Sequence, residues 1–260
     1  MPRFLNFVIG TCGWMLGMAP ALALAAPIEL CPGQIAETGK DGRVLGHLPY
    51  GEGAQYDMVD APPGFALGGP CRLQRAAAAD LTRLLSAANA VPDVAGTLRG
   101  VSCHRSIAYQ RQVFCGRIGA DQRFATAAER ARVVAPPGYS EHATGYALDF
   151  GIRPSPDCPD VDACIVWQPA GRWLIAHARD YGFELSFPPA NAQGVSWEPW
   201  HWRWVGTSAR SPGATAARAV FARAASNYPA IPGLFIKPPR VVPTLPRPLF
   251  PLAFPRLPGA

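Results

Sequence analysis

Two short stretches, SEHATGYALD at residues 140–149 and WEPWH at residues 197–201, constrain this chain more than anything else in it. Each holds a histidine close to a carboxylate, and each adjoins a segment of alternating side chains. Tyr146, Leu148 and Phe150 alternate with Ala147, Asp149 and Gly151, while Trp200, Trp202 and Trp204 alternate with His201, Arg203 and Val205. Alternation with period two marks a strand with one face in a core, so the aromatics turn inward and Asp149 and His201 occupy the other face. Two such strands side by side bring both groups to one ion. His142, in the glycine-containing turn before the first strand, completes the set. Two imidazoles, one carboxylate ligand and a spare carboxylate, Glu198, are what a catalytic zinc needs: three protein ligands, an open position for water and a nearby general base. The rival arrangement is a closed structural site with Glu198 as fourth ligand. Glu198 stands three residues before His201 with Pro199 between, which lets it project beside the ion without binding it.

The rest of the chain of 260 residues bounds where such a site operates. Residues 1–25 read as a secretory signal peptide: Arg3, an apolar run over 4–24, then a small-x-small site at 23–25. Glycines and Pro20 interrupt the run and no second hydrophobic span follows, so no stable membrane span is expected after cleavage and the location is periplasmic or secreted. Without Cys12 six cysteines remain, an even number that in an exported protein points to three disulfides. Pairing of nearest neighbours gives Cys31–Cys71, Cys103–Cys115 and Cys158–Cys164. The net charge of +6 comes wholly from residues 211–260, which hold six basic groups and no acid. The remainder is balanced, which argues against a nucleic-acid partner. Nothing in the sequence reads out an oligomeric state.

Periodicity and end signals supply the framework. Residues 74–90 carry an apolar stripe at Ala77, Leu81, Leu84, Leu85 and Ala88 and make the clearest helix. A strand over 97–102 precedes Ser106, which caps a helix running to Gly116. Thr126 and Glu129 form a capping box, and residues 172–181 make a helix that Gly182 stops. One more helix is expected over 215–226, followed by a basic tail over 228–260 with ten prolines. The expected architecture is therefore α+β: a signal peptide at 1–25, a catalytic domain at 26–210 whose small antiparallel sheet carries the zinc site between helices, an Ala/Arg-rich helix within 211–227, and the tail.

With these residues in view, the sequence resembles the VanY-type D-alanyl-D-alanine carboxypeptidases, zinc peptidases in a wider group that also holds D-Ala-D-Ala dipeptidases and the hedgehog signalling domain. The family patterns S-x-H-x-x-G-x-A-x-D and E-P-W-H stand here without mismatch at 140–149 and 198–201, and an Arg-Ser pair followed by a Gln is matched by Arg105, Ser106 and Gln112. The resemblance spans roughly residues 45–206. It departs at His104, where the family has an aromatic residue. It implies a hedgehog/DD-peptidase-like fold, zinc bound by His142, Asp149 and His201, and Glu198 as general base. Arg105 would hold the developing oxyanion or a substrate carboxylate, and Ser140 and Gln112 would donate to the peptide's terminal carboxylate. The implied substrate is the peptidoglycan stem peptide, most directly through release of terminal D-Ala. Endopeptidase or dipeptidase action on the same scaffold is the alternative within enzymes, and a zinc-stabilised binding module of the cell envelope is the alternative outside them.

Overall fold

The computed structural model describes residues 27–229. The expected signal peptide, and the tail beyond residue 229, lie outside the described residues. Strands β1 (Ile28–Cys31) and β2 (Gln34–Ala36) form a hairpin. β3 (Met58–Asp60) pairs antiparallel with β4 (Arg72–Gln74), which runs directly into α1 (Arg75–Asn89). There follow β5 (Leu98–Ser102), α2 (Ile107–Cys115), α3 (Ala127–Ala131), β6 (Ala147–Ile152), α4 (Pro169–His177), β7 (Phe183–Leu185), β8 (His201–Trp204), α5 (Ala214–Val220) and α6 (Ala222–Asn227). The central sheet is four-stranded and antiparallel in the order β5-β6-β8-β7. Among the described residues no helix is long and apolar enough to cross a membrane.

Alternation sorts the two central strands as the sequence requires. Leu148, Phe150, Trp202 and Trp204 join Phe183, α1 and α4 in one buried core. The stripe on α1 supplies Ala77, Leu81, Leu84 and Ala88 to it, and each fully buried leucine adds about 1.5–3 kcal/mol of hydrophobic stabilisation. Asp80 on the same helix accepts a hydrogen bond from Trp204 Nε1 at 2.9 Å, so the indole donor is satisfied inside the core. The register pairs Asp149 with His201, Leu148 with Trp202 and Ala147 with Arg203. A slip of one residue would send the tryptophans out of the core and the ligands into it, which is why this register is strongly specified. β6 is buried along its whole length, because its second face is covered by the site instead of by water.

Three expectations are corrected. The bridges are Cys31–Cys115, Cys71–Cys103 and Cys158–Cys164, so three disulfides form but only the last is among the pairs expected. Tertiary approach decides the other two. The His104 amide bonds to the Arg72 carbonyl and sets Cys71 beside Cys103. Leu30, Val44, Phe114, Ala127 and Ala131 build a second small core that sets Cys31 in β1 beside Cys115 at the end of α2. The single helix expected over 215–226 is two helices broken at Phe221, whose φ of −95° and ψ of 8° leave the helical path. Phe221 is buried edge-on against Tyr50 and Tyr146. Lastly, Ala214, Ala217, Phe221 and Ala224 belong to the main core, so the globular unit runs past residue 210 to the end of α6.

Candidate active site

His142 lies in a 3₁₀ turn, Glu141–Thr144, that Ser140 precedes and Gly145 closes in the left-handed region at φ 73°. The left-handed conformation is what calls for glycine at 145, and a Cβ there would also press on the end of the Met58 side chain at 2.6 Å. The turn delivers His142 to the strand pair that carries Asp149 and His201. His142 Nε2 lies 3.2 Å from Asp149 Oδ2, and His201 Nδ1 lies 2.9 Å from Asp149 Oδ1. One ligand atom from each of the three residues falls within 4.8 Å of the others, and all three residues are buried.

The outer nitrogen of each imidazole is also engaged. His142 Nδ1 donates to the Cys103 carbonyl at 2.8 Å, which leaves Nε2 as the ligand atom. His201 Nε2 donates to Glu141 Oε2 at 3.1 Å, which leaves Nδ1 for the ion. Burial opposes charge on His201, but hydrogen bonds and charges from Asp149 and Glu141 overcome it and hold the imidazole up at about 10. Burial likewise opposes ionisation of Asp149, and His142 and His201 outweigh it, holding the carboxyl well below the usual range. Burial instead lowers the pKa of His142, so the Asp149 carboxylate stands between two imidazoles of opposite tendency. Two imidazoles, one carboxylate and hydrogen-bonded outer nitrogens are a donor set for zinc.

Glu198 sits beside these ligands without joining them. Its Oε2 is 4.0 Å from His201 Nδ1, and its backbone is fixed by the Phe187 carbonyl and the His201 amide. Burial pushes its carboxyl up to about 8; the charges of Asp149 and Glu141 add to the rise, against His201 and Arg105. An acid that titrates near neutrality is suited to taking and returning a proton. Arg105 Nε donates to Gln110 Oε1, and its Nη1 donates to Ser102 Oγ at 3.4 Å. Burial lowers the pKa of this guanidinium, and the charges of Asp149 and Glu198 oppose the change. Arg105, Ser140, Glu198 and the three ligands line one cleft of about 800 Å³.

Gln112 is not among the residues that line this cleft: it is exposed on α2. The buried glutamine is Gln110, which accepts from Arg105 and donates through Nε2 to the Ala135 carbonyl at 2.5 Å. Two residues apart on a helix point about 200° apart, so only one of the pair can face inward. Trp200, which the alternation would send into the core, borders the cleft, because it precedes β8 and escapes the alternation that buries Trp202 and Trp204. His104 reaches the cleft wall with Nε2 3.1 Å from Gln55 Nε2 and 3.4 Å from Glu52 Oε2.

Glu141 and Arg203 stand outside the fixed motif positions and yet belong to the site. Glu141 Oε1 accepts from Arg203 Nη1 at 2.9 Å and Tyr50 OH at 3.2 Å. Its Oε2 accepts from Ser186 Oγ at 2.5 Å as well as from His201. Arg203 also donates through Nε to Glu184 Oε1 at 2.7 Å. Burial would raise the Glu141 pKa, but the Arg203 charge and the bond from His201 hold it down at about 2. A signal was present. Alternation puts Arg203 on the site face with His201, and a guanidinium enclosed there needs a carboxylate partner.

The sequence profile of the VanY family, D-alanyl-D-alanine carboxypeptidase, matches residues 70–207. The chain is 37% identical over 73 residues to a D-alanyl-D-alanine carboxypeptidase of Enterococcus faecium, covering 27% of this chain and 22% of that protein. It is 36% identical over 75 residues to a bifunctional D-Ala-D-Ala dipeptidase and D-Ala-D-Ala carboxypeptidase of Enterococcus gallinarum, covering 28% and 40%. It therefore spans less than half the length of these curated relatives. Among solved structures it is similar to the LdcB LD-carboxypeptidase, with a TM-score of 0.53 and 25% identity over 68% of this chain and 81% of that one. Motifs, ligand geometry and the match over half the sequence agree: the chain belongs to the VanY family of D-alanyl-D-alanine carboxypeptidases.

Proposed function

We propose that this protein is a zinc carboxypeptidase that removes the terminal D-Ala from peptidoglycan stem peptides outside the cytoplasm. The observation that carries the reading is the place of Glu198: a buried carboxyl 4.0 Å from His201 Nδ1, beside the three-residue metal cluster yet outside it, in the cleft that all four residues line. A bound zinc supplies an acidified water and a Lewis acid for the scissile carbonyl. His142, Asp149 and His201 hold the ion. Glu198 takes the proton of the attacking water and returns it to the leaving amine. Arg105 steadies negative charge, either on the carbonyl oxygen or on a substrate carboxylate, with Gln110 fixing its orientation. Ser140, at the cleft floor, offers a hydroxyl to the terminal carboxylate. Three disulfides support an oxidising compartment.

The test is Glu198→Gln, which keeps size and hydrogen bonding but not proton transfer. Zinc content stays at about one per chain, and release of D-Ala from a stem pentapeptide falls by about 10²–10⁴. Loss of zinc in this variant would make Glu198 a ligand and favour the closed, non-catalytic site. Products analysed by mass separate release of one residue from release of a dipeptide or cleavage within a cross-link.

A further inference from the structure

The segment that holds α2 and α3 is rich in arginine, and three of its guanidinium groups, on Arg105, Arg123 and Arg130, line the cleft. Residues 105–132 contain Arg105, Arg111, Arg117, Arg123, Arg130 and Arg132 against only Asp121 and Glu129. Among the described residues, none of these six arginines is in a salt bridge; the ion pairs lie elsewhere. Glu129 is occupied: its Oε2 accepts from the Ala125 amide at 2.8 Å ahead of α3. Arg130 is 8% exposed and lines the cleft. Its Nη2 donates to the Val113 carbonyl at 3.0 Å, while its Nε is buried with no hydrogen-bond partner. Arg123, exposed and also lining the cleft, flanks the same aromatic ring. The two guanidinium carbons lie 5.0 Å (Arg130) and 5.4 Å (Arg123) from the Phe124 ring centroid.

We infer that Arg130 and Arg123, stacked on Phe124, form a second anion subsite that takes a free carboxylate of the substrate peptide upstream of the bond cleaved. The inference rests on the reading of the chain as a carboxypeptidase. Removing the Arg130 guanidinium from water without a counter-charge is costly, and Arg123, exposed on the same ring, presents the open donors of a planar fork that a carboxylate matches. Burial and the neighbouring charges of Arg123, Arg117 and Arg105 push Arg130 down to about 10, so an arriving anion relieves both penalties. Position decides which carboxylate. Arg105 bonds to Gln110 and Arg130 to Val113, three residues on in α2, so the two guanidinium groups are anchored about 4.5 Å apart along the helix. The terminal carboxylate of the residue released stays next to the scissile bond, beside Arg105 and Ser140. The second subsite therefore meets a different acidic group, on a residue that remains with the larger fragment.

The experiment compares the pentapeptide L-Ala-γ-D-Glu-L-Lys-D-Ala-D-Ala with its twin in which the free D-Glu carboxylate is a carboxamide. With the zinc-loaded wild type, kcat/KM for the acid exceeds that for the amide at least about tenfold, the worth of one charge-assisted hydrogen bond, and the ratio shrinks with added salt. Arg123→Gln lowers the ratio and Arg130→Met brings it close to one, with the change in KM. Arg123 is exposed, so its variant keeps the test alive if Arg130→Met folds poorly. Equal rates on both peptides in the wild type, or a ratio that both variants leave intact, overturn the subsite while the carboxypeptidase reading stands. Binding of both peptides to the zinc-loaded Glu198→Gln protein, followed by calorimetry, separates the two readings. If the wild type cleaves neither peptide but the acid still binds more tightly in an Arg130-dependent way, the peptidase reading fails and the subsite stands.

Discussion

Replacing Glu141 by glutamine keeps the shape of the most deeply buried polar cluster and removes one charge from it. Both carboxylate oxygens face donors: Arg203 and Tyr50 on one, Ser186 and His201 on the other. Whichever of them becomes the amide nitrogen then faces a fixed donor, Arg203 on one side or His201 on the other, while the hydroxyl beside it, of Tyr50 or Ser186, can turn to accept. Arg203, 1% exposed, keeps only Glu184 as counter-charge, and its Nη2 already lacks a partner. Breaking a buried ion pair in this way costs about 3–5 kcal/mol. The second effect falls on the metal. Without the anion at Nε2, His201 is a less basic and less firmly oriented ligand, which weakens zinc binding about 10–100-fold. Urea unfolding of the zinc-free protein reads the first effect, and competition with a chromophoric chelator reads the second. The pair Glu141→Gln and Arg203→Met completes a cycle. Because the double variant leaves no orphaned charge, it costs less than the two single variants added together, by about 1–3 kcal/mol. If Glu141→Gln unfolds within about 0.5 kcal/mol of the wild type, as an ordinary surface change does, and binds zinc as tightly, the network is decorative and the reasoning fails.

Two other outcomes follow from the same structure. Burial pushes His47 from 6.5 down to about 4, although its Nε2 bonds to the Ala131 carbonyl at 2.7 Å. The unfolded chain then binds the extra proton between these values, so stability is intact above 6.5 and falls as pH drops through the window, by up to about 3 kcal/mol. Urea midpoints at pH 7 and pH 4.5 should converge in His47→Gln, and an acid loss as large as that of the wild type would remove His47 from the account. The Cys71–Cys103 bridge closes 32 residues and carries the carbonyl that holds His142. Cys71→Ala with Cys103→Ala costs about 3–4 kcal/mol and weakens zinc binding. Removing Cys158–Cys164, which spans 6 residues, costs about 2 kcal/mol and leaves zinc affinity alone. Equal zinc affinity in the two double variants would contradict the coupling.

What the sequence determined by itself is what neighbouring residues encode. Alternation along residues 146–151 and 200–205 put Leu148, Trp202 and Trp204 in the core and Asp149 opposite His201, and the stripe on α1 named its buried face. Caps behaved the same way: Ser106 Oγ accepts from the Tyr109 amide and Thr126 Oγ1 from the Glu129 amide. The Glu129 carboxylate, however, reaches the Ala125 amide where a capping box would use that of Thr126. What only the tertiary structure decided are pairings across distance. Cysteines were joined by the docking of β1 on α2 and of the segment after β5 on β4, not by the length of chain between them. Gln110 displaced Gln112 because the rotation of a nine-residue helix is set by what packs on it. Glu141 stands in a motif position that any residue fills, and its role appears only once Arg203, Ser186 and Tyr50 converge on it. Periodicity and capping are local interactions that a sequence displays directly. A buried ion pair or a disulfide depends on which faces meet, and that is fixed by burying the whole core at once.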